Sequence, residues 1–187
     1  TWNAYPAMFA SLAAGNPVVI KPHPIAILPM AIVVETCRAT LAEFGFDPNL
    51  ITLAADTVEE PIAAKYVEHS AVQIIDFTGS PRYGSHLERT VTGKLLYTET
   101  AGVNSVVVES VDSLTQCTRA IARASSLFSA QMCTSVQNIH IPVNGILVGG
   151  QKVSFDEVVS ALVAAVDAHL EDPKMAAFLC GTLVTDD

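Results

Sequence analysis

Two residues with reactive side chains stand out because small or polar residues surround them. Cys133 lies in the uncharged segment SAQMCTSVQNI, and Glu99 lies upstream in TETAG. A cysteine thiolate is a strong nucleophile, and a carboxylate in a small, partly dry setting suits a general base. Each residue also has a simpler interpretation, since free cysteines are most often buried and unreactive and most glutamates are solvated. Pairing of Cys133 with His140, as in Cys–His hydrolases, is a further alternative, although the alternation around His140 is typical of a strand surface.

Two segments at the ends of predicted strands could bind a phosphate or a sugar. In FTGSPRYG (77–84), Ser80 is a natural helix N-cap and Gly79 allows close backbone approach. Free backbone N–H groups at such a helix start favour an anion. An ordinary strand–helix junction is the alternative, because the glycine spacing fits neither common nucleotide-binding signature. In VVIKPHP (18–24), Lys21 lies at the carboxyl end of the predicted strand, the edge where open α/β sheets bind ligands. The alternative is a solvated lysine at the end of a strand.

These residues need elements to position them, and strands alternate with helices along the first hundred residues. Apolar runs rich in β-branched residues predict strands, while helical apolar spacing and capping residues predict helices. The predicted strands are 16–22, 50–56, 72–80 and 94–100, and the predicted helices are 26–46, 59–70 and 81–92. Because these strands are apolar on both faces, they predict a parallel sheet covered by helices on both sides.

The pattern changes after Gly102, where we place a domain boundary. The predicted elements that follow are a strand at 104–111, a helix at 114–127, a strand at 138–143 and a helix at 154–170 capped by Ser154. The segment around Cys133 could continue the helix before it. The sequence therefore predicts two parts, 1–102 and 103–187.

Composition narrows the classes of function. The 187 residues carry a net charge of −9 without a basic run, which argues against nucleic acid as a partner. Four dispersed cysteines and five histidines lack metal-ligand spacing, so we expect no metal and a reducing cytoplasm. The uncharged runs 1–20 and 124–151 are interrupted by polar residues, proline or glycine, so we expect no membrane span. A mean hydropathy of +0.40 favours a homo-oligomer, a dimer or tetramer.

Five segments taken together resemble the aldehyde dehydrogenase superfamily, in the family's order and over residues 1 to about 139: TWN, ASLAAGNPVVIKP, FTGSPRYG, ETAG and AQMCTS. Cys133 follows Glu99 by 34 residues (133 − 99), which is similar to the usual separation in the family. The resemblance implies an α/β fold, with a partial Rossmann-type cofactor domain at 1–102 and part of an α/β catalytic domain at 103–187.

The resemblance also implies roles for individual residues. Cys133 would be the nucleophile, the Asn3 amide and the Cys133 backbone N–H would hold the oxyanion, and Glu99 would activate the hydrolytic water. The implied cofactor is NAD or NADP. The residues implied to contact it are Lys21 at the adenosine ribose, Ser80 at the pyrophosphate, and also Trp2, Pro22, Gly79 and Gly84.

Three departures from the family pattern qualify these expectations. Pro24 stands where many NAD-using members have a glutamate that binds the ribose hydroxyls, so repulsion of a 2′-phosphate is weaker and NADP is expected at least as much as NAD. Ala101 replaces a glycine of the E-x-G-G element. The family's later E-x-F-G-P motif and the first third of its cofactor domain do not occur, so we expect a piece of a larger enzyme that need not be active by itself.

The implied function is oxidation of a small-molecule aldehyde to a carboxylic acid. TWNAYPAMFASLAAGNPVVIKPHP together with TETAGVNSVVV is similar to the phenylacetate-degradation aldehyde dehydrogenases, which oxidise a ring-opened semialdehyde linked to coenzyme A. Two alternatives stay open. One is a CoA-acylating semialdehyde dehydrogenase, which Glu99 disfavours because acylating relatives often lack that carboxylate. The other is a non-catalytic nucleotide-binding or interaction fragment.

Overall fold

Helices alternate with strands that include three parallel pairs, which confirms the predicted α/β class. The computed structural model describes residues 2–183. The chain divides into two units, Thr1–Glu99 and Thr100–Asp187. Each unit has its own apolar core.

The first unit follows the predicted alternation, preceded by a helix that begins beside the TWN segment. Its helices are α1 (Tyr5–Ala13), α2 (Ile27–Glu43), α3 (Ala63–Glu68) and α4 (Pro81–Thr90), and its strands are β1 (Val18–Ile20), β2 (Ile51–Leu53), β3 (Ile74–Gly79) and β4 (Leu95–Thr100). Strand β1 pairs with β2 in parallel, and β3 is hydrogen-bonded to β4. Its buried core consists of Met8, Ile20, Met30, Val34 and Ile51.

Helix α2 ends in a way that returns the chain to the sheet. Gly45 adopts a positive φ of 78°, its N–H donates to the carbonyl of Ala42, and the N–H of Phe46 donates to the carbonyl of Leu41. This is a Schellman cap, which needs a residue free of Cβ strain at the glycine position. Arg38 then bridges the helix to β2, because its Nη1 lies 3.1 Å from the carbonyl oxygen of Ile51.

The second unit combines a parallel strand pair with a small mixed sheet. Its strands are β5 (Asn104–Val107), β6 (Ser110–Val111), β7 (Val136–His140), β8 (Ile146–Val148) and β9 (Gln151–Val153), and its helices are α5 (Leu114–Ser126), α6 (Phe155–Glu171) and α7 (Pro173–Cys180). Strand β5 pairs in parallel with β7, and β6 with β8, while β8 and β9 are antiparallel. The core consists of Val108, Ile121, Ile146 and Val158.

Three sequence-based expectations differ from the structure. The segment around Cys133 does not continue α5, because Phe128, Ser129 and Ala130 all have φ between 53° and 59°. The predicted strand 104–111 is divided into β5 and β6. Within the described residues, the strands of the first unit form two pairs, β1–β2 and β3–β4, and helices do not cover both faces, since Leu95 and Tyr97 on β4 are each 58% exposed.

Helix α2 is apolar enough to raise the membrane question. Together with the short turn before it, the helix spans Pro24–Glu43 and is long enough to cross a bilayer. Its mean hydropathy is 1.7, and 11% of its most apolar window is buried. The core helix of a soluble protein passes the same test of length and composition, so this is weak evidence for a span. The expected absence of a membrane span stays a prediction.

Candidate active site

Cys133 lies in a tight turn between α5 and β7. The backbone N–H of Ser135 donates to the carbonyl oxygen of Met132 at 3.1 Å, so Cys133 is the second residue of a four-residue turn. Its side chain is half-buried. The thiol is therefore held on a short connection directly before a strand, where backbone contacts set its position.

The chain enters this turn through three left-handed residues, none of which is glycine. A left-handed conformation costs an ordinary residue about 1–2 kcal/mol, so surrounding contacts must hold it. The hydroxyl of Ser129 donates to the carbonyl of Cys180. The side-chain amide of Gln131 donates to the carbonyl oxygens of Phe128 and Thr182, each at 2.9 Å. The C-terminal end of α7 thus holds the approach to Cys133.

Asn104 holds the other side of the same turn, and sequence reasoning missed it. Its Nδ2 donates to the carbonyl oxygen of Cys133 at 2.6 Å and to that of Ser135 at 3.1 Å. The pairing of β5 with β7 is irregular at this point: Asn104 is opposite Val136, but the next residue, Ser105, is opposite Asn138. A signal was present, because asparagine is disfavoured in strands and yet begins β5.

Glu99 lies near the end of β4, on the exposed side of the strand. Asp76 is on the neighbouring strand β3. Partial burial raises the pKa of Asp76, and the negative charge of Glu99 raises it further. The two carboxylates thus lie on the paired strands β3 and β4.

The FTGSPRYG segment forms the predicted junction between a strand, β3, and a helix, α4. Ser80 caps α4, with its Oγ accepting a hydrogen bond from the N–H of Tyr83 at 3.3 Å and Pro81 following in the first turn. The first turn contains no acidic residue, and Arg82 within it is exposed. These features fit the pyrophosphate of a dinucleotide, because the hydroxyl hydrogen of Ser80 is still available to donate.

Glycines shape this junction. A Cβ on Gly79 would lie 2.6 Å from Cζ of Phe77, so the glycine makes room for the ring. Phe77 in turn packs edge-on against Tyr83, with 5.2 Å between the ring centroids. Gly84 is buried within α4. Gly79, Ser80 and Gly84 thus belong to one strand–helix junction.

Lys21 follows β1 and forms an ion pair with a residue that sequence reasoning missed. Its Nζ lies 2.8 Å from Oδ1 of Asp56, and the side chains are 26% and 0% exposed, respectively. The other carboxylate oxygen accepts the backbone N–H of Ile62 at 3.1 Å. Burial alone would raise the pKa of Asp56, but the hydrogen bonds from Lys21 and Ile62 outweigh it and the pKa is lowered.

The other proposed site residues lie in the first unit. Asn3 is exposed in a single 3₁₀ turn, Trp2–Ala4, before α1, and Pro22 is buried after β1. The side chain of Trp2 lies outside what the structure describes. Among residues 2–183, there is no group of three His, Cys, Asp or Glu side chains that could hold a metal ion.

Two of the other cysteines pack against the cores. Cys37 contacts the core of the first unit and Cys117 that of the second. Burial raises the pKa of the Cys117 thiol, which disfavours its thiolate.

Comparison with known proteins identifies relatives along the whole chain. The family model described as "Aldehyde dehydrogenase family" matches residues 2–187. The crystal structure of an NAD-dependent aldehyde dehydrogenase from Burkholderia multivorans is 44% identical, with a TM-score of 0.91, and the match covers 100% of this chain and 34% of that one. A 3-sulfolactaldehyde dehydrogenase from Priestia aryabhattai is 34% identical over 140 residues, which are 72% of this chain and 27% of the relative.

A more distant structure shares the fold. Glyceraldehyde-3-phosphate dehydrogenase GapN from Methanocaldococcus jannaschii, in complex with NADP, is 22% identical with a TM-score of 0.71, over 82% of this chain and 32% of that one. The chain thus spans between 27% and 34% of the length of these three proteins.

Proposed function

Because the chain belongs to the aldehyde dehydrogenase family, we propose that it carries the nucleophile and part of the dinucleotide site of an enzyme that oxidises an aldehyde to a carboxylic acid with NAD or NADP. The observation that carries this proposal is the placement of Cys133. It is half-buried in a turn that hydrogen bonds hold on both sides, as a nucleophile that must meet a carbonyl carbon requires.

The first step is attack by the Cys133 thiolate on the aldehyde carbon. A C–S bond forms, and the carbonyl π electrons move to oxygen, giving a thiohemiacetal oxyanion. The carbonyl of Met132 points into the turn, toward the N–H of Ser135. In a trans peptide the N–H points opposite to the carbonyl, so the N–H of Cys133 is directed away from the turn, and we propose that it donates to the oxyanion. The Asn3 amide is the second proposed donor.

A bound NAD or NADP would supply the acceptor for the hydrogen of the aldehyde carbon, which leaves as hydride with its two electrons. Cys133 then holds a thioester. Glu99 takes a proton from water as the water oxygen attacks this thioester, the C–S bond breaks, and sulfur leaves as thiolate. The overall change is aldehyde, water and oxidised cofactor to carboxylic acid, reduced cofactor and a proton.

The cofactor site that we propose joins the α4 junction with the end of β1. The N-terminal end of α4, with Ser80 and Gly79, suits the pyrophosphate, and the remaining ammonium hydrogens of Lys21 suit the adenosine ribose. Buried Pro22 and Gly84 shape the backbone around these groups. Trp2 is proposed to line the channel for the cofactor or the substrate. Pro24 leaves room for a 2′-phosphate, so both NAD and NADP are proposed.

The finer proposal for the substrate is a CoA-linked semialdehyde of aromatic-acid degradation. It is supported by the similarity of TETAGVNSVVV and the first 24 residues to the phenylacetate branch of the family. We also propose a homo-oligomer in the cytoplasm. Exposed apolar side chains in both units, such as Leu28, Tyr97, Val107 and Phe178, support burial against further protein.

The experiment that tests the function compares the intact protein with its Cys133→Ala and Cys37→Ala variants. Absorbance of the reduced nicotinamide is followed with aliphatic, aromatic and CoA-linked aldehydes, in NAD and in NADP. Turnover by the wild type and by Cys37→Ala, but not by Cys133→Ala, supports the proposal. Mass spectrometry of the product then separates a carboxylic acid from a CoA thioester. If none of the three proteins forms reduced nicotinamide, the result would favour the alternative of a non-catalytic nucleotide-binding or interaction fragment.

A further inference from the structure

Asn104 makes contacts that a sheet residue does not need. The backbone of strand β5 pairs with β7 without any help from side chains. The side chain adds two hydrogen bonds, to the carbonyl oxygens on either side of Thr134. Both hydrogens of one carboxamide nitrogen are thereby used within the turn that carries Cys133.

These two bonds determine how the turn is oriented. The bond to Cys133 fixes the peptide plane after the nucleophile, and the Ser135–Met132 bond fixes the plane before it. With both planes held, the direction of the Cα–Cβ bond of Cys133 and that of its backbone N–H are set together. Ser135 is 2% exposed, and among the described residues its hydroxyl has no hydrogen-bond partner, so the turn is not held through that group.

The irregular pairing of β5 with β7 places the carboxamide of Asn104 next to the turn that carries Cys133. The register of β5 against β7 shifts between Asn104 and Ser105, so Gln137 is an extra residue in β7. A bulge re-aims side chains and is common beside active sites. Here it lies directly after the turn, and Asn104 is the residue at which regular pairing stops.

We infer that Asn104 is a positioning residue for the nucleophile: its carboxamide clamps the 132–135 turn and so sets the approach of Cys133 to the carbonyl carbon. This inference rests on the proposed function of Cys133. Losing the clamp should lower kcat, because a displacement of about 1 Å at a reacting atom can cost on the order of 100-fold. Cofactor binding, which uses residues of the first unit, should keep its KM.

The test uses three variants of the intact protein. Asn104→Asp keeps the size but at neutral pH offers two acceptors to two carbonyl oxygens. Asn104→Ser is smaller, can donate one bond and serves if the aspartate variant fails to fold. Asn138→Asp is the matched control, since it introduces the same charge at an exposed asparagine of the adjoining strand.

We expect kcat of Asn104→Asp to fall at least about 10-fold and that of Asn104→Ser to fall less, with the cofactor KM within about twofold. Hydrogen exchange of the 131–136 backbone should become faster in both, and Asn138→Asp should resemble the wild type. Unchanged exchange, or unchanged kcat in an active enzyme, would overturn the inference and leave the proposed function standing. If the wild type itself has no turnover, the proposed function fails, and the positioning role with it.

Discussion

The ammonium group of Lys21 lies 2.8 Å from a carboxylate oxygen of Asp56, a residue whose side chain is fully buried. The pair links the end of β1 to the loop after β2, and the N–H of Ile62 completes the coordination of the carboxylate. Lys21 is the partly exposed member, so Asp56 orients an ammonium group at a strand edge where α/β proteins bind ligands. Two predictions depend on this pair.

The first concerns acid stability. Because the pKa of Asp56 is lowered in the folded protein from its ordinary value of 3.8, its ionised form stabilises the fold above that value. This contribution is lost as the pH falls through the lowered pKa. Urea unfolding between pH 7 and pH 3 should therefore show a smaller decrease in stability for Asp56→Asn than for the wild type. An equal decrease in both proteins would contradict the ion-pair interpretation.

The second concerns removal of the cation. Lys21→Met leaves a buried carboxylate without its partner, a loss of about 3–5 kcal/mol when both groups are fully buried. Because Lys21 is 26% exposed, we expect about 2 kcal/mol at pH 7, and less at low pH where Asp56 is protonated. Lys65→Met, at an exposed position of α3, is the control and should change the unfolding free energy little. The KM for the nicotinamide cofactor should rise in Lys21→Met alone.

Replacement of Glu99 by Gln removes the proposed base without changing the size of the side chain. We expect a burst of about one equivalent of reduced cofactor, followed by turnover slowed roughly 100-fold or more, because the thioester cannot be hydrolysed. Stopped-flow absorbance and intact mass spectrometry measure the burst and the trapped acyl group. Glu109→Gln, at an exposed glutamate between β5 and β6, provides the control. Steady turnover at the wild-type rate would refute the assignment.

The same substitution should change the titration of Asp76. Its pKa is raised by partial burial and then by the charge of Glu99, so loss of that charge should move it down, toward the ordinary value. The side-chain carboxyl resonance of Asp76, followed by NMR as a function of pH, measures this shift. An unmoved titration curve in Glu99→Gln would mean that the two carboxylates do not interact.

Ser80→Ala tests whether the start of α4 holds the cofactor. The loss of the N-cap should cost about 1 kcal/mol of stability. Ser113 caps α5 in the same way, since its Oγ accepts a hydrogen bond from the N–H of Gln116. The Ser113→Ala substitution should therefore lower stability by a similar amount. A several-fold increase in cofactor KM should appear in Ser80→Ala and not in Ser113→Ala. Equal cofactor KM values in the two variants would mean that Ser80 caps α4 but does not bind the pyrophosphate.

Much of the fold could be predicted because its signals are local. Strands β1 to β4 and helices α2 to α4 lie within the predicted ranges, and the caps at Ser80 and Ser154 are present. Capping and apolar periodicity act over a few residues, so the sequence displays them directly. The three-residue strands β8 and β9 and the eight-residue helix α7 were not predicted, since such short elements carry too little pattern.

The sequence by itself determined the order of the elements, the motifs that indicate the family and the identity of Cys133 as the candidate nucleophile. Only the tertiary structure decided what holds these groups. Asn104 contacts a carbonyl 29 residues away in sequence, and Ser129 contacts one that is 51 residues away. The sequence left open that the helix before Cys133 continues into the segment around it, but the backbone at 128–130 is left-handed and is held by long-range hydrogen bonds. Such contacts depend on chain segments that meet after folding, and no local pattern encodes them.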